Sequence, residues 1–155
     1  MNIDKRNNII SVILTIAILV LGYILYRSIT APWDEVEQRK EVTEQVRQRM
    51  SNVRTALVEF QRQNNRFPPS LDSLIVYIKT DERMMQLGDS LFKERRPLRY
   101  HPDSLIYSPR PPHNRFQFEL NDTLRPNIYL LSDPDSRDRI GSLERTTLLN
   151  ASSWE

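Results

Sequence analysis

The sequence predicts an α+β fold: an N-terminal transmembrane helix, then a long amphipathic helix packed on a small antiparallel β-sheet. Three observations support this prediction. An uncharged run of 18 residues stands near the N-terminus, a heptad-like apolar stripe follows it, and the later part of the chain consists of short extended runs between turn residues. Helices followed in sequence by a group of strands are typical of α+β proteins.

The uncharged run extends from Ile9 to Tyr26. At 1.5 Å per residue it forms a helix of about 27 Å, close to the hydrocarbon thickness of a bilayer. Tyr23, Tyr26 and Trp33 cluster at its C-terminal end, where aromatic side chains settle at the lipid headgroups. We therefore expect a membrane anchor at residues 9–28 behind a cytoplasmic tail at residues 1–8. The alternative is a buried core helix.

The anchor is expected to remain uncleaved. Its apolar core is longer than that of a usual signal peptide, and the small residue Ala31 is followed directly by Pro32. The chain has no cysteine, which excludes a lipoprotein attachment site. Positive charges flank the run on both sides and do not decide its orientation, but the short tail favours N-in, C-out.

Residues 33–155 are predicted to form one domain. Lys plus Arg number 22 and Asp plus Glu number 20, so the small positive excess gives no reason to expect nucleic acid as a partner. The absence of cysteine also excludes disulfides, thiolate metal sites and thiol catalysis. Ten prolines against three glycines indicate loops stiffened by proline.

A long helix is predicted at residues 33–64. Apolar residues recur along it at spacings of four and three, which is typical of an amphipathic helix. The stripe consists of Val46, Met50, Val53, Leu57 and Phe60. It either packs on the protein's own sheet or forms a coiled-coil seam to a partner. Both interpretations remain open at this point.

Short helices are predicted at residues 70–95. Asn64-Asn65 ends the long helix, because asparagine tolerates a left-handed cap. Ser70 is a suitable N-cap for a helix from Leu71 to Lys79. A further turn or two is expected up to Leu87, ended by Gly88.

A β-meander is predicted at residues 97–155. Candidate strands are Ser104 to Tyr107, Arg115 to Leu120, Asn127 to Leu131 and Arg139 to Leu149. The second strand alternates between apolar and polar residues, as a half-buried strand does. Short links between consecutive strands favour antiparallel pairing.

The order of these elements resembles type IV pilins and the major pseudopilin of type II secretion. The turn Asn65-Arg66-Phe67-Pro68 is similar to the Asn-Gly-Arg-Tyr-Pro turn that ends the long helix of those proteins. Ser70-Leu71-Asp72-Ser73-Leu74 follows it, and the tail from Asn150 to Glu155 is similar to the pseudopilin ending in carrying a tryptophan. The chain looks closer still to single-pass envelope proteins of Bacteroidetes-like bacteria.

The resemblance implies a subunit of a membrane, secretion or pilus-like assembly, with its domain in the periplasm on an inner-membrane anchor. The implied partners are the lipid bilayer and other envelope proteins or further copies of the chain. Asn7-Asn8-Ile9-Ile10-Ser11 differs from a prepilin-peptidase site, which has a glycine, and the apolar run lacks an acidic residue. A pilin-like domain on a fixed anchor is therefore expected. The alternative is a processed pseudopilin.

One loop is a candidate metal site. Asp133, Asp135 and Asp138 offer hard oxygen ligands, and the pseudopilin resemblance implies calcium in a loop before the C-terminal tryptophan. The alternative is a solvated turn. No nucleophile–base set, metal-ligand spacing or phosphate-binding glycine loop is recognisable, so no catalytic residue and no other cofactor is expected. A ligand-binding domain on an anchor remains a further alternative.

Overall fold

The computed structural model describes residues 3–92 and 101–155. The chain divides into two compact units, Met1–Glu41 and Val42–Glu155. The helices are α1 (Ile3–Asn64), α2 (Leu71–Thr80) and α3 (Glu82–Leu91), and the strands are β1 (Gln117–Asn121), β2 (Ile128–Ser132) and β3 (Arg139–Gly141). The α+β class is confirmed. The predicted helical stretch 93–95 and the first residues of the predicted meander, 97–100, lie outside the described residues.

Helix α1 is continuous from Ile3 to Asn64, so the predicted anchor at 9–28 and the predicted long helix at 33–64 belong to one helix. Pro32 lacks a backbone N–H and so removes one helical hydrogen bond, but good helix formers follow it and the helix continues. The end at Asn64 is confirmed. Asn65 has a φ of 54°, the left-handed conformation expected of an asparagine that follows a helix.

The two short helices begin at side-chain caps. Ser70 Oγ accepts the N–H of Ser73 at 3.2 Å, and the predicted apolar face of α2 is buried. The Asp81 carboxylate accepts the N–H of Met84 at 2.8 Å and starts α3. The predicted end at Gly88 is wrong, because α3 extends to Leu91. The N–H of the buried Phe92 bonds to the Gly88 carbonyl at 3.0 Å, and burial of Phe92 offsets the modest cost of a helical glycine.

The sheet is antiparallel in the order β1-β2-β3, which confirms the meander. The predicted strand Ser104 to Tyr107 is wrong: Pro102 opens a 3₁₀ turn, and Tyr107 forms only an isolated bridge to Arg115. The predicted strand Arg139 to Leu149 is reduced to the three residues of β3. It ends at Gly141, whose φ of 88° turns the backbone out of the extended conformation.

The hydrophobic core of the unit Val42–Glu155 is assembled from all three helices and one face of the sheet. We call this the inner face of the sheet. The cross-strand pairs Phe118↔Leu131 and Leu131↔Ile140 lie on it. The Phe67 ring meets the Tyr129 ring edge to face, with centroids 4.9 Å apart.

The opposite, outer face of the sheet is partly covered by the chain that follows β3. Ile128 alternates with Tyr129 and so belongs to the outer face, yet it is fully buried. We call residues 142–153 the C-terminal segment. Its end flanks β3, since the N–H of Gly141 bonds to the Ala151 carbonyl and the N–H of Ser153 to the Arg139 carbonyl, both at 2.9 Å. The outer face and the C-terminal segment together line a cavity.

Candidate membrane anchor and ligand cavity

The N-terminal part of α1 exposes its apolar side chains on every side. From Ile9 to Ile29, every large apolar side chain is between 47% and 68% exposed. A continuous apolar surface of this kind is unfavourable in water, and lipid hydrocarbon would remove that cost. Among the described residues, α1 is the one helix that is long and apolar enough to cross a membrane. These properties make it a candidate anchor.

The polar groups of this part of the helix are accommodated locally. Thr15 Oγ1 donates to the Ser11 carbonyl at 2.9 Å, and Thr30 Oγ1 donates to the Tyr26 carbonyl at 2.5 Å. A hydroxyl that bonds within its own helix does not oppose transfer into hydrocarbon. The aromatic side chains predicted for the membrane interface, Tyr23, Tyr26 and Trp33, are all exposed.

The apolar stripe farther along α1 lies inside the folded unit. Val46, Met50, Val53 and Leu57 are fully buried in the core. Phe60 is partly buried, and its ring meets the Tyr77 ring edge to face at 5.0 Å. Because these side chains contact the protein's own core, they offer no open seam to a partner in this conformation. The arrangement corresponds to packing within the protein and not to a coiled-coil seam.

The sequence reasoning missed an ion pair that joins α1 to the β2–β3 loop. Arg47 donates from Nε and Nη2 to the two carboxylate oxygens of Asp138, at 3.1 and 3.0 Å. The same guanidinium stacks over the Trp154 ring at 5.4 Å. Such a two-bond fork is the strongest common geometry for a guanidinium and a carboxylate. The two residues are 91 positions apart, so no local pattern could indicate the pair.

Two further arginines of α1 bind backbone carbonyls of distant loops. The buried Arg49 donates from Nη1 to the carbonyls of Ser104 and Tyr107, at 3.3 and 3.1 Å. Arg54 donates to the Asn150 carbonyl at 3.1 Å and lies 3.6 Å from the Glu155 carboxylate. In the sequence these residues belong to the polar faces of an amphipathic helix. In the structure they fasten loops to it.

The three aspartates of the predicted calcium loop have different side-chain surroundings. Arg47 occupies both oxygens of Asp138, and the Asn114 amide donates to both oxygens of Asp135 at 3.0 Å. Asp133 is 2% exposed, and neither carboxylate oxygen has a hydrogen-bond partner. Over the described ranges, no group of three or more His, Cys, Asp or Glu side chains is arranged to hold a metal ion.

The loop therefore does not fit a calcium site built from these three carboxylates. The Arg47 guanidinium at Asp138 and the Asn114 amide at Asp135 occupy the positions that a cation would need. The positive charge of Arg47 also opposes a cation nearby.

The C-terminal segment is fixed to the sheet at two points. The Asn121 amide donates to the Leu143 carbonyl at 3.0 Å, and the Tyr129 hydroxyl donates to the Asn150 side chain at 2.9 Å. Burial raises the pKa of the Tyr129 hydroxyl well above its usual range, so it remains a neutral donor.

A cavity of about 570 Å³ is lined by the outer face of the sheet and the C-terminal segment. Its apolar lining includes Leu130, Leu143 and Leu148, and two arginines, Arg139 and Arg145, also line it. A volume of this size is in the usual range for small-molecule sites. No sequence motif marks the cavity, because its walls come from a strand, a bend and a 3₁₀ turn.

The sequence-predicted site residues thus fall into three separate places: the exposed anchor, the core stripe and the β2–β3 loop. None of them lines the cavity. Comparison with protein-family models, with curated proteins and with solved structures finds no match for this chain.

Proposed function

We propose that this chain is a membrane-anchored structural or interaction protein of the bacterial cell envelope, and that it serves as a subunit of a larger membrane, secretion or pilus-like assembly. The observation that carries the proposal is the exposed apolar surface of α1 from Ile9 to Ile29, which carries no charge as far as Tyr26. Lipid is the solvent that suits this surface, so the folded unit Val42–Glu155 is held at a membrane.

The contacts that α1 makes within the folded unit support a function that depends on where the domain is held. The helix that carries the apolar run continues to Asn64 and supplies Val46, Met50, Val53 and Leu57 to the core. Arg47, Arg49 and Arg54 add polar contacts from the same helix to three loops. The anchor is therefore one continuous element with the core helix, which suits a domain that acts by being held in place.

The resemblance to pilins supports the choice of an assembly over a solitary anchored domain. Pilins use an N-terminal helix both as membrane anchor and as core helix of their head domain, and α1 combines an apolar run with core residues. The proposed location is the inner membrane, with the domain in the periplasm. Since a prepilin-peptidase site is lacking, the proposal includes an uncleaved N-terminus.

Membrane extraction and native sizing test the proposal. We expect the chain to stay in membranes washed with sodium carbonate and to begin at Met1 or Asn2 by mass spectrometry of the intact protein. After gentle solubilisation, it should migrate in a particle larger than one copy with its detergent. Quantitative release by carbonate would refute the anchor, and a stable single copy would refute the assembly. A mature chain that starts within the apolar run would favour the processed pseudopilin instead.

A further inference from the structure

The register of the sheet determines which side chains form the floor of the cavity. Leu130 pairs with Gly141, and Ser132 pairs with Arg139, so these four residues share the outer face. Leu131 and Ile140 alternate with them and are in the core. Leu130 is only partly buried, and it lines the cavity together with Arg139 and residues of the C-terminal segment.

The positive charges at the cavity are not neutralised by the protein. Arg139 and Arg145 are exposed, and neither side chain has an ion pair or hydrogen bond with another residue in the part of the chain that the structure describes. Arg47, Arg54 and Arg115, by contrast, all lie within 4 Å of carboxylates. Glu144 also lines the cavity but lies beyond ion-pair distance of both arginines, so the lining keeps a net positive charge.

The remaining lining combines three leucines with Ser142, Ser152 and Ser153, and its frame is held in place. Leu130 forms the floor, while Leu143 and the 41% exposed Leu148 belong to the C-terminal segment. The bonds from Asn121 to the Leu143 carbonyl and from Gly141 to the Ala151 carbonyl hold that segment at both ends. A frame that is already fixed loses little freedom when a ligand enters, which favours binding.

We propose that this cavity binds a small organic acid. Its carboxylate is held by Arg139 and Arg145, whose planar guanidinium groups match a carboxylate in shape and charge. Its apolar group lies against Leu130, Leu143 and Leu148. The free charges and the apolar floor together select this class over a sugar, which lacks the charge, and over inorganic phosphate, which lacks an apolar part. The inference goes beyond the proposed function, since it requires no assembly partner.

Titration of the full chain with two matched probes tests this site. The protein is placed in nanodiscs of neutral phosphatidylcholine, and binding is measured by isothermal titration calorimetry, with empty nanodiscs as the blank. We expect phenylacetate to bind saturably and phenethylamine, which has the same ring and the opposite charge, not to bind. Equal binding of both probes, or no saturable binding of phenylacetate up to roughly 10 mM, would overturn the proposal.

Variants then locate the site. Arg139→Gln and Arg145→Gln should each weaken phenylacetate binding about tenfold or more, because each removes a charge-assisted hydrogen bond. Arg137→Gln is the control: it removes an exposed arginine that does not line the cavity, and it should change binding by less than about twofold. An unchanged affinity in both cavity variants would place the binding elsewhere and refute the assignment. The probe comparison uses the native chain and does not depend on how the variants fold, and neither measurement depends on particle size.

Discussion

Leu57→Ala tests most directly whether the apolar stripe of α1 is part of the protein's own core. Leu57 is 0% exposed and lies in the core of the unit Val42–Glu155. Truncation of a buried leucine to alanine typically costs about 2–5 kcal/mol, because transfer free energy is lost and a cavity remains. Alanine is the better helix former, so the helix itself does not contribute to the loss. For a domain of about 110 residues, a loss of about 3 kcal/mol lowers the Tm by roughly 10–15 °C.

The assay is thermal unfolding of the full chain in nanodiscs, followed by near-ultraviolet circular dichroism. Leu148→Ala is the matched control, since it deletes the same atoms from a side chain that is 41% exposed, and its Tm should fall by less than a third as much. The reasoning is refuted if Leu57→Ala leaves the Tm unchanged. If that variant instead loses a complex that the native chain forms, the apolar stripe is a seam to a partner and not a core.

Three further predictions concern the sheet, the β2–β3 loop and the topology. Gly141→Ala should destabilise the chain by about 3 kcal/mol or more in urea titrations, because the φ is 88° and a Cβ would lie 2.2 Å from the Tyr129 carbonyl oxygen. Gly22→Ala is the control: its added Cβ would meet no neighbouring side chain within 4 Å, so the urea midpoint should stay unchanged. Asp133→Asn should raise stability by about 1 kcal/mol at neutral pH, because a buried, unpartnered carboxylate costs more than an amide, and a lower urea midpoint would reveal a partner for the carboxylate. A C-terminal alkaline phosphatase fusion should be active and a C-terminal GFP fusion dark, whereas the reverse pattern would place the domain in the cytoplasm.

The elements that the sequence predicted well depend on interactions between near neighbours. The end of α1 follows from the left-handed tolerance of Asn65, and the start of α2 follows from the Ser70 cap. The apolar run and the alternation of the central strands are likewise visible within a few residues. The end of α3 was misplaced because burial of Phe92 outweighed the local signal of Gly88. The two strand errors lie at Pro102 and Gly141, where a single residue redirects the backbone.

By itself, the amino-acid sequence determined that this protein has an apolar helix long enough for a membrane, an amphipathic helix after it and an antiparallel sheet. Each of these rests on periodicity or length, which are local properties of the chain. Only the tertiary structure decided that Arg47 pairs with Asp138, that the apolar stripe belongs to the core, and that Arg139 and Arg145 line one cavity. Those arrangements depend on strand register and on contacts between distant residues, such as Arg47 and Asp138, which are 91 positions apart, and no short window of sequence specifies which distant side chains the fold brings together.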